Sequence, residues 1–252
     1  MPDVPDRVVS YTANSDFWVK IIREDLDPYR IGLTNQAVLD AVGDIDGMTV
    51  LDGGCAEGYM ARELARRGAK ATGIDSCAPL IDAARDAAET EGLAIDYHVA
   101  DLADIPAADD TYDLVVLNHV VHDMEDPTAT FAEIARVTRP GGRIVIMMLH
   151  PCFYSSSRAE RTAGLGHPVP AEYFSVRAVQ QPFFVSGITS PAAVTLWMRP
   201  LEAYTSLLFS NGFAITGMSE PHPTDEQLAT DPWWAEHFVR PLFLLITAVK
   251  NP

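Results

Sequence analysis

The sequence has few cationic side chains and few cysteines, and both shortages exclude classes of function. Its 252 residues contain 18 Lys and Arg against 35 Asp and Glu, so the formal net charge is −17. Because phosphate backbones and anionic lipids are bound through many basic contacts, neither a nucleic acid nor a membrane is an expected partner. The cysteines Cys55, Cys77 and Cys152 are an odd number without CxxC spacing, and no basic-then-apolar signal segment occurs. We therefore expect a reduced, cytoplasmic protein.

Internal repeats and long uninterrupted apolar stretches are also absent from the sequence. Short apolar runs alternate instead with amphipathic segments, which is typical of βαβ units and a parallel sheet. The predicted helices cover residues 14–23, 34–42, 59–67, 79–90, 128–137 and 200–211. The predicted strands cover residues 49–51, 71–74, 97–100, 112–117, 143–149, 214–219 and 242–249. The last two strands follow each other without an obvious helix between them, so they are expected to form an antiparallel edge.

A chain of this length is expected to form one doubly wound α/β domain around a mostly parallel seven-stranded sheet. Between the fifth and sixth strands the pattern changes to aromatic and β-branched residues interrupted by Pro, Gly and Ser, which predicts an inserted cap. The expected parts are an N-terminal helical segment at 1–48, a cofactor-binding core at 49–150, the cap at 151–198 and the rest of the sheet at 199–252.

Residues 50–58, with the sequence VLDGGCAEG, form an apolar run that breaks into a glycine-rich turn before a helical pattern. Gly54 and Gly58 permit close backbone approach to a ligand. The dinucleotide fingerprint GxGxxG is absent, and the turn carries carboxylates at Asp52 and Glu57. Negative charge there would repel a pyrophosphate and attract a cationic group. A sulfonium nucleoside that carries an ammonium group fits this loop.

Polar residues follow the predicted strands at the edge where an open parallel sheet binds its ligands. They are Asp75 after the second strand, Asp101 after the third, Asn118 and His119 after the fourth, and His150 after the fifth. The two carboxylate oxygens of Asp75 suit the vicinal hydroxyls of a ribose, which either kind of nucleoside cofactor would supply. These strand ends predict one cleft.

With these motifs the chain resembles the class I S-adenosylmethionine-dependent methyltransferases. The resemblance runs from Val50 to Leu149, and more loosely to Val249. It rests on VLDGGCAEG, TGIDSC, VADLADIP, YDLVVLNHVVHDMED and RPGGRIVIM. It implies a Rossmann-like methyltransferase fold and S-adenosylmethionine as the cofactor. One departure is Ala56, where the family commonly has a second glycine.

The resemblance also implies where the cofactor lies. Asp52 and Gly54 are expected near the methionine moiety, Asp75 at the ribose hydroxyls, and Asp101 with Leu102 at the adenine. The N-terminal segment offers Tyr11, Tyr29 and Arg30 to the cofactor carboxylate, although Arg30 as a surface charge and Tyr29 as packing are equally open interpretations. The expected cofactor-binding residues are Tyr11, Arg30, Asp52, Gly53, Gly54, Cys55, Gly58, Asp75, Ser76, Asp101, Leu102, Asn118 and His119.

Methyl transfer to a hydroxyl is helped by a base, and histidine has a suitable intrinsic pKa. His150 lies beside the cap and is the first candidate, with the alternative that it only forms a hydrogen bond at a strand end. His119 is the second catalytic candidate, followed by His122. Asp123 and Asp126 lie near these histidines, but no recognisable ligand spacing supports a metal site, so none is expected.

Aromatic residues are concentrated in the cap and one late loop, and they favour a small hydrophobic or aromatic acceptor. They are Phe153, Tyr154, Tyr173, Phe174, Phe183, Phe184, Trp197, Trp233 and Trp234. The expected function is a small-molecule methyltransferase of specialised metabolism, with oxygen slightly favoured over nitrogen or carbon as the acceptor atom. A nicotinamide-dependent oxidoreductase using NAD(P) and a non-catalytic cofactor-binding protein are the alternatives. A homodimer is left open.

Overall fold

The computed structural model describes residues 6–153 and 173–251. Helices α1 (Arg7–Ala13), α2 (Ser15–Arg23) and α3 (Asn35–Val42) precede the sheet, with a π-helical turn at Arg30–Thr34 before α3. The sequence pattern missed α1, whose first turn is capped by Asp6 accepting a hydrogen bond of 2.7 Å from the Val8 amide. Tyr154 lies outside the described residues.

Strands and helices then alternate along the chain as predicted. The strands are β1 (Thr49–Gly53), β2 (Lys70–Asp75), β3 (Asp96–Val99), β4 (Tyr112–Asn118), β5 (Thr138–Leu149), β6 (Arg177–Val185), β7 (Ile188–Met198), β8 (Phe213–Ser219) and β9 (Phe243–Lys250). The helices among them are α4 (Tyr59–Arg66), α5 (Ala78–Thr90), α6 (Thr128–Val137), α7 (Leu201–Ser210), α8 (Asp225–Thr230) and α9 (Pro232–His237). A short 3₁₀ turn, Val121–Asp123, follows β4.

Seven of these strands form one sheet in the order β3-β2-β1-β4-β5-β9-β8. The strands from β3 to β5 pair in parallel, while β9 pairs antiparallel with both β5 and β8. The predicted α/β, mostly parallel seven-stranded fold is therefore confirmed. The predicted antiparallel edge is formed by β9 and β8, with β8 outermost. The short helices α8 and α9 also occupy a connection that was expected to have no helix.

Apolar residues of β4 explain why helices cover both faces of the sheet. Leu114 and Val116 point to one face, where they pack with residues of α3 and α4, and Val115 and Leu117 point to the other, where they pack with residues of α6 and α7. A strand buried on both faces has a continuous apolar sequence rather than an alternating one. Because β4 is the fourth of the seven strands in the sheet order, its carboxyl end, Asn118, lies at the middle of the sheet edge.

The inserted segment contributes the antiparallel hairpin β6–β7, which forms a separate two-stranded sheet. The side chain of Asn14, between α1 and α2, forms two hydrogen bonds with the backbone of this hairpin. Its amide donates to the Ala192 carbonyl over 3.0 Å and accepts from the Ala192 amide over 2.8 Å. The N-terminal helices and the hairpin are thereby joined. None of the described helices is both long and apolar enough to cross a membrane.

Candidate active site

A cavity of about 1070 Å³ opens at the carboxyl ends of the parallel strands, between the N-terminal helices and the hairpin. Most of the predicted cofactor residues line it: Tyr11, Arg30, Asp52, Gly54, Cys55, Asp75, Ser76, Leu102, Asn118 and His119. The structure does not bring the other three, Gly53, Gly58 and Asp101, to the cavity wall. The cleft expected at the point where the strand order reverses between β1 and β4 is therefore present.

The glycines of the loop allow close contact mainly with the protein itself. Gly54 has a φ of +72°, and a Cβ there would lie 2.4 Å from Cγ2 of Val120. Gly58 has a φ of +80°, and its Cβ would lie 2.4 Å from the Tyr97 hydroxyl oxygen. The predicted close approach of Gly58 to a ligand is thus replaced by packing against Tyr97. Gly53 is likewise closed off by Leu117, whose Cδ2 would lie 2.8 Å from an added Cβ.

Asp52 and Asn118 end neighbouring strands and leave two buried acceptor atoms at the cavity. Within the described residues, Asp52 Oδ2 and Asn118 Oδ1 have no hydrogen-bond partner, while Asn118 Nδ2 donates to the Tyr59 hydroxyl over 2.6 Å. Burial raises the pKa of Asp52 to about 7, since water is withdrawn from its carboxylate. A cationic donor such as an ammonium group would satisfy both acceptors.

Glu57 does not have the role that its position in the loop suggested. It is fully buried and does not line the cavity. Its carboxylate accepts hydrogen bonds of 3.0 and 3.1 Å from Arg62, and Arg23 Nε lies 3.5 Å away. Its charge is therefore neutralised inside the protein. The carboxylate that the loop presents to the cavity is Asp52.

Arg30 is part of the cavity wall rather than a surface charge. Its guanidinium lies 5.0 Å from the ring centroid of Tyr59, and Nη2 donates to Asp25 over 2.6 Å and to the Ile22 carbonyl over 2.9 Å. Arg30 Nε is buried and has no hydrogen-bond partner in the described part of the chain. A ligand carboxylate would suit this donor.

The two tyrosines that were considered with Arg30 are held elsewhere. The Tyr29 hydroxyl donates to the His237 carbonyl over 3.2 Å, and the Tyr11 hydroxyl donates to Asp123 Oδ2 over 2.9 Å. Both rings line the cavity. Of the three candidates for a cofactor carboxylate, Arg30 has the suitable chemistry.

Asp75, at the end of β2, organises the loop and keeps acceptor capacity for a ligand. Its Oδ2 accepts from the Ala56 amide and its Oδ1 from the Cys77 amide, both over 2.9 Å. Each carboxylate oxygen retains a further lone pair, which fits the expected ribose hydroxyls. Leu102 lines the cavity farther along, whereas Asp101 is half exposed and forms a 2.9 Å ion pair with Arg7.

His150 lies outside the cavity wall, which corrects its placement as the first candidate for a base. It is buried, and its Nε2 lies 2.9 Å from Glu220 Oε1. Its Nδ1 accepts a hydrogen bond of 3.2 Å from the Cys152 amide. Both ring nitrogens are therefore used within the protein, and the hydrogen-bonding interpretation of this strand end is the one that the geometry supports.

His119 follows β4 directly and lines the cavity. Its φ of +61° turns the chain away from the strand direction, and its amide donates to the Met147 carbonyl over 2.8 Å. The ring lies 5.4 Å from that of Phe243, and no side chain or backbone group of the described chain forms a hydrogen bond with it. Burial lowers the pKa of His119 to about 4, so the ring is neutral at neutral pH and is a weak base, which can take a proton only from a group that becomes acidic during the reaction. His122 has a pKa lowered further, to about 3.

Aromatic residues surround the remaining space, but they are only partly those expected. Among the expected aromatic residues Phe183, Phe184 and Trp233 line the cavity. The others that the structure describes lie elsewhere: Phe153, Tyr173, Phe174, Trp197 and Trp234. Sequence reasoning missed Trp18, Tyr59, Asp123 and Phe243 as wall residues. Trp18 fell within a predicted helix and Phe243 within a predicted strand. No local signal in a sequence shows which buried side chains face a cavity.

No group of three or more His, Cys, Asp or Glu side chains suited to a metal ion occurs within residues 6–153 and 173–251. His119 and His122 have ring centroids 6.1 Å apart. The polar atoms at the cavity are those that an organic ligand with ammonium, carboxylate and hydroxyl groups requires.

Comparisons with known proteins agree with this geometry. A family profile described as a methyltransferase domain matches residues 51–146. The ubiquinone biosynthesis O-methyltransferase of Xanthomonas oryzae pv. oryzae is 30% identical over 161 residues, which are 63% of this chain and 64% of that relative. The chain therefore matches slightly less than two thirds of that relative's length.

Two solved structures extend the likeness. The S-adenosylmethionine-dependent methyltransferase from Mesorhizobium loti is 27% identical with a TM-score of 0.67, over 85% of this chain and 96% of the other. A structure from Listeria monocytogenes has a TM-score of 0.71 at 24% identity, over 86% of this chain and 96% of the other, and shows the fold alone. Asp52, Asn118, Arg30 and Asp75 fit the ammonium, carboxylate and ribose groups of the cofactor. The chain is therefore similar to S-adenosylmethionine-dependent methyltransferases in sequence and in fold.

Proposed function

We propose that this protein transfers the methyl group of S-adenosylmethionine to the hydroxyl oxygen of a small, apolar or aromatic molecule. The observation that carries the proposal is the His119 ring, which is neutral, unpartnered in the described chain and beside Phe243 in the cavity wall. A base in that position takes the hydroxyl proton as the oxygen gains the methyl group. The name of the Xanthomonas relative, an O-methyltransferase, agrees with oxygen as the acceptor.

The cavity has room for a cofactor and an acceptor together. Ligand pockets commonly measure about 300–1000 Å³, and this cavity, at about 1070 Å³, exceeds that range. When bound, S-adenosylmethionine supplies an electrophilic methyl group on a sulfonium. Asp52 and Asn118 would accept from its ammonium group, Arg30 would donate to its carboxylate, and Asp75 would accept from its ribose hydroxyls. Leu102 would contact the adenine.

An aromatic wall next to His119 is suited to hold the acceptor. Ring centroids are 5.5 Å apart between Tyr29 and Phe243 and 5.0 Å apart between Tyr29 and Trp233. These rings bind a flat apolar molecule by contact area and edge-to-face attraction. Holding the acceptor oxygen, the methyl carbon and the sulfur in line is a large part of catalysis for such a displacement.

The test is a methyl-transfer assay with labelled S-adenosylmethionine and matched phenols, aliphatic alcohols and aromatic amines of similar size. We expect label in O-methyl products of the phenols. Label only on nitrogen or carbon contradicts the oxygen assignment. Binding of NAD(H) without binding of S-adenosylmethionine supports the oxidoreductase alternative, and cofactor binding without any product supports a non-catalytic protein.

The remaining predictions concern partners and location. The net charge of −17 supports an acceptor other than nucleic acid. A homodimer, a cytoplasmic location and a role in specialised metabolism stay predictions. Sedimentation analysis of the purified chain tests the homodimer.

A further inference from the structure

Asp123 is a buried carboxylate at the cavity, and no ion pair within residues 6–153 and 173–251 balances its charge. It ends the 3₁₀ turn after β4, lines the cavity and is 8% exposed. Oδ2 accepts the hydrogen bond from Tyr11, while Oδ1 is buried without a partner in the described residues. No Lys, Arg or His of the described chain forms an ion pair with it. Arg7, whose charge acts on Asp123, is itself paired with Asp101.

The other buried carboxylates near the loop each have a partner in the protein or an expected partner in the cofactor. Glu57 is paired with Arg62, and Asp75 accepts two backbone amides. Asp52 has the cofactor ammonium as its expected partner. An isolated buried carboxylate is costly, and here burial together with the negative charge of Asp75 raises the pKa of Asp123 to about 7. A cation bound at Oδ1 would remove that cost.

The charge balance of the whole cavity leaves room for such a cation. Four carboxylates line the cavity, those of Asp27, Asp52, Asp75 and Asp123, against the two guanidinium groups of Arg7 and Arg30. Both guanidinium groups pair with carboxylates outside the wall. The cofactor carries one net positive charge, from a sulfonium, an ammonium and a carboxylate. The wall therefore stays negative after the cofactor is bound.

A row of three aromatic rings begins at the tyrosine that is bonded to this carboxylate. Tyr11, which is bonded to Asp123, has its ring centroid 6.4 Å from that of Phe183 in β6, and Phe183 lies 4.6 Å from Trp18 in α2. All three residues line the cavity. Aromatic faces attract ammonium groups electrostatically, and a carboxylate beside them adds a charge-assisted hydrogen bond. Together these groups form a recognition site for an alkylammonium.

We propose that the acceptor carries a protonated amine, which is bound by Asp123 among the rings of Tyr11, Trp18 and Phe183. The amine serves as a binding group, and the hydroxyl that faces His119 receives the methyl group. This inference rests on the proposed function, since it assigns the substrate class of the same cavity. It makes the hairpin and the N-terminal helices the elements that select the substrate.

Calorimetry with two matched phenols tests this inference without requiring turnover. The protein, saturated with S-adenosylhomocysteine, is titrated with tyramine and with 4-ethylphenol, which share the phenol ring and differ by the terminal ammonium group. We expect tyramine to bind about tenfold tighter or more, the size of a buried hydrogen bond to a charged group. Asp123→Asn should abolish the preference while leaving the affinity for 4-ethylphenol and S-adenosylhomocysteine unchanged. The matched control is Asp126→Asn, which removes an exposed carboxylate three residues along the chain and should keep the preference.

Each contrary result has a distinct meaning. Equal affinity of the two phenols, or no binding of either, overturns the inference. A loss of S-adenosylhomocysteine affinity in Asp123→Asn, with the amine preference retained, assigns Asp123 to the cofactor and also overturns it. If the amine preference is present but no phenol is methylated, the proposed function fails and the amine site stands. If phenols are methylated but tyramine is not preferred, the proposed function stands and the amine site is overturned.

Discussion

The backbone amide of Ala56 donates a 2.9 Å hydrogen bond to Oδ2 of Asp75, so the cofactor loop after β1 is tied to the end of β2. Ala56 makes this contact with a φ of +49°, in the left-handed region that favours glycine. The resemblance to the family already marked this position as one where glycine is common. The structure supplies a reason, since this backbone conformation favours a residue without a Cβ.

Replacing Ala56 by glycine should stabilise the protein. A left-handed conformation costs a residue with a Cβ roughly 1 kcal/mol, which glycine does not incur. In a chain of this size we expect Ala56→Gly to raise the melting temperature by about 2–4 °C in thermal denaturation. The control is Ala87→Gly inside α5, where the same change should lower the melting temperature because glycine weakens a helix interior. A lower melting temperature for Ala56→Gly would contradict the strain argument.

The affinity for S-adenosylmethionine should depend on pH through Asp52. Its pKa of about 7 in the free protein lies above the ordinary carboxyl value, so the carboxylate becomes protonated as the pH falls below about 7. A cationic cofactor binds the charged form, and its affinity should therefore fall by up to about tenfold per pH unit below that point. Isothermal titration across this range measures the slope.

Two variants isolate the contribution of Asp52. Asp52→Asn should bind the cofactor more weakly at neutral pH and should lose most of the slope. Asp86→Asn, which removes an exposed carboxylate on α5, should retain both affinity and slope. An affinity of the unmodified protein that stays constant through pH 7 would remove Asp52 from the ammonium site.

Substitution of the two candidate histidines should separate their roles. His119→Asn keeps a residue that tolerates a positive φ and removes the imidazole, so methyl transfer should slow by roughly 10²–10⁴-fold with cofactor affinity nearly unchanged. His150→Gln removes a ring that lies outside the cavity wall, and its rate should remain near that of the unmodified enzyme. Steady-state kinetics measures both variants, with a phenol that the unmodified protein methylates as the substrate. A slow His150→Gln with a normal His119→Asn would restore the base to the end of β5.

Asp123 should make stability decrease as the pH rises. Its folded-state pKa of about 7 is raised above the unfolded value, so its contribution is fully favourable below about pH 4 and is lost as the pH approaches 7. Asp123→Asn keeps an acceptor for Tyr11 and removes the buried charge. We expect the variant to exceed the unmodified protein in melting temperature at pH 8 and to approach it at low pH. A variant that is less stable at pH 8 would show that the charge is compensated within the protein.

Most of the fold could be predicted from local patterns. The apolar run in β4, the proline at the start of α5 and the glycine after α4 mark strands and helices because their physical causes lie within a few residues of sequence. The N-terminal helix α1 was missed, and the antiparallel edge was predicted without the order of its two strands. An antiparallel strand can pair at an edge or between two strands with the same sequence pattern, and only the contacts with β5 decide between them.

The candidate site also contains residues that the sequence predicts and residues that only tertiary contacts distinguish. Asp52, Asp75 and Asn118 follow predicted strands, so the topology of a parallel sheet alone places them at one cleft. His119 and His150 also follow strands, and their sequences do not distinguish them. The difference is a tertiary one, because Glu220 and the Cys152 amide occupy the ring of His150, whereas the ring of His119 faces the cavity beside Phe243.

The sequence by itself determined the fold class and predicted the cofactor and the sheet edge that would bind it, since strand periodicity, residues at strand ends and family motifs are all local features. Tertiary structure decided which polar atoms remain unpaired at the cavity. Within the described residues it neutralised Glu57 with Arg62, left Asp123 without an ion pair and placed Trp18 and Phe183 in the wall of the same cavity. Whether a buried charge is paired depends on which groups the fold brings to it, as Arg23 of α2 is brought to Glu57, and the proposed acceptor depends on the charges that are left.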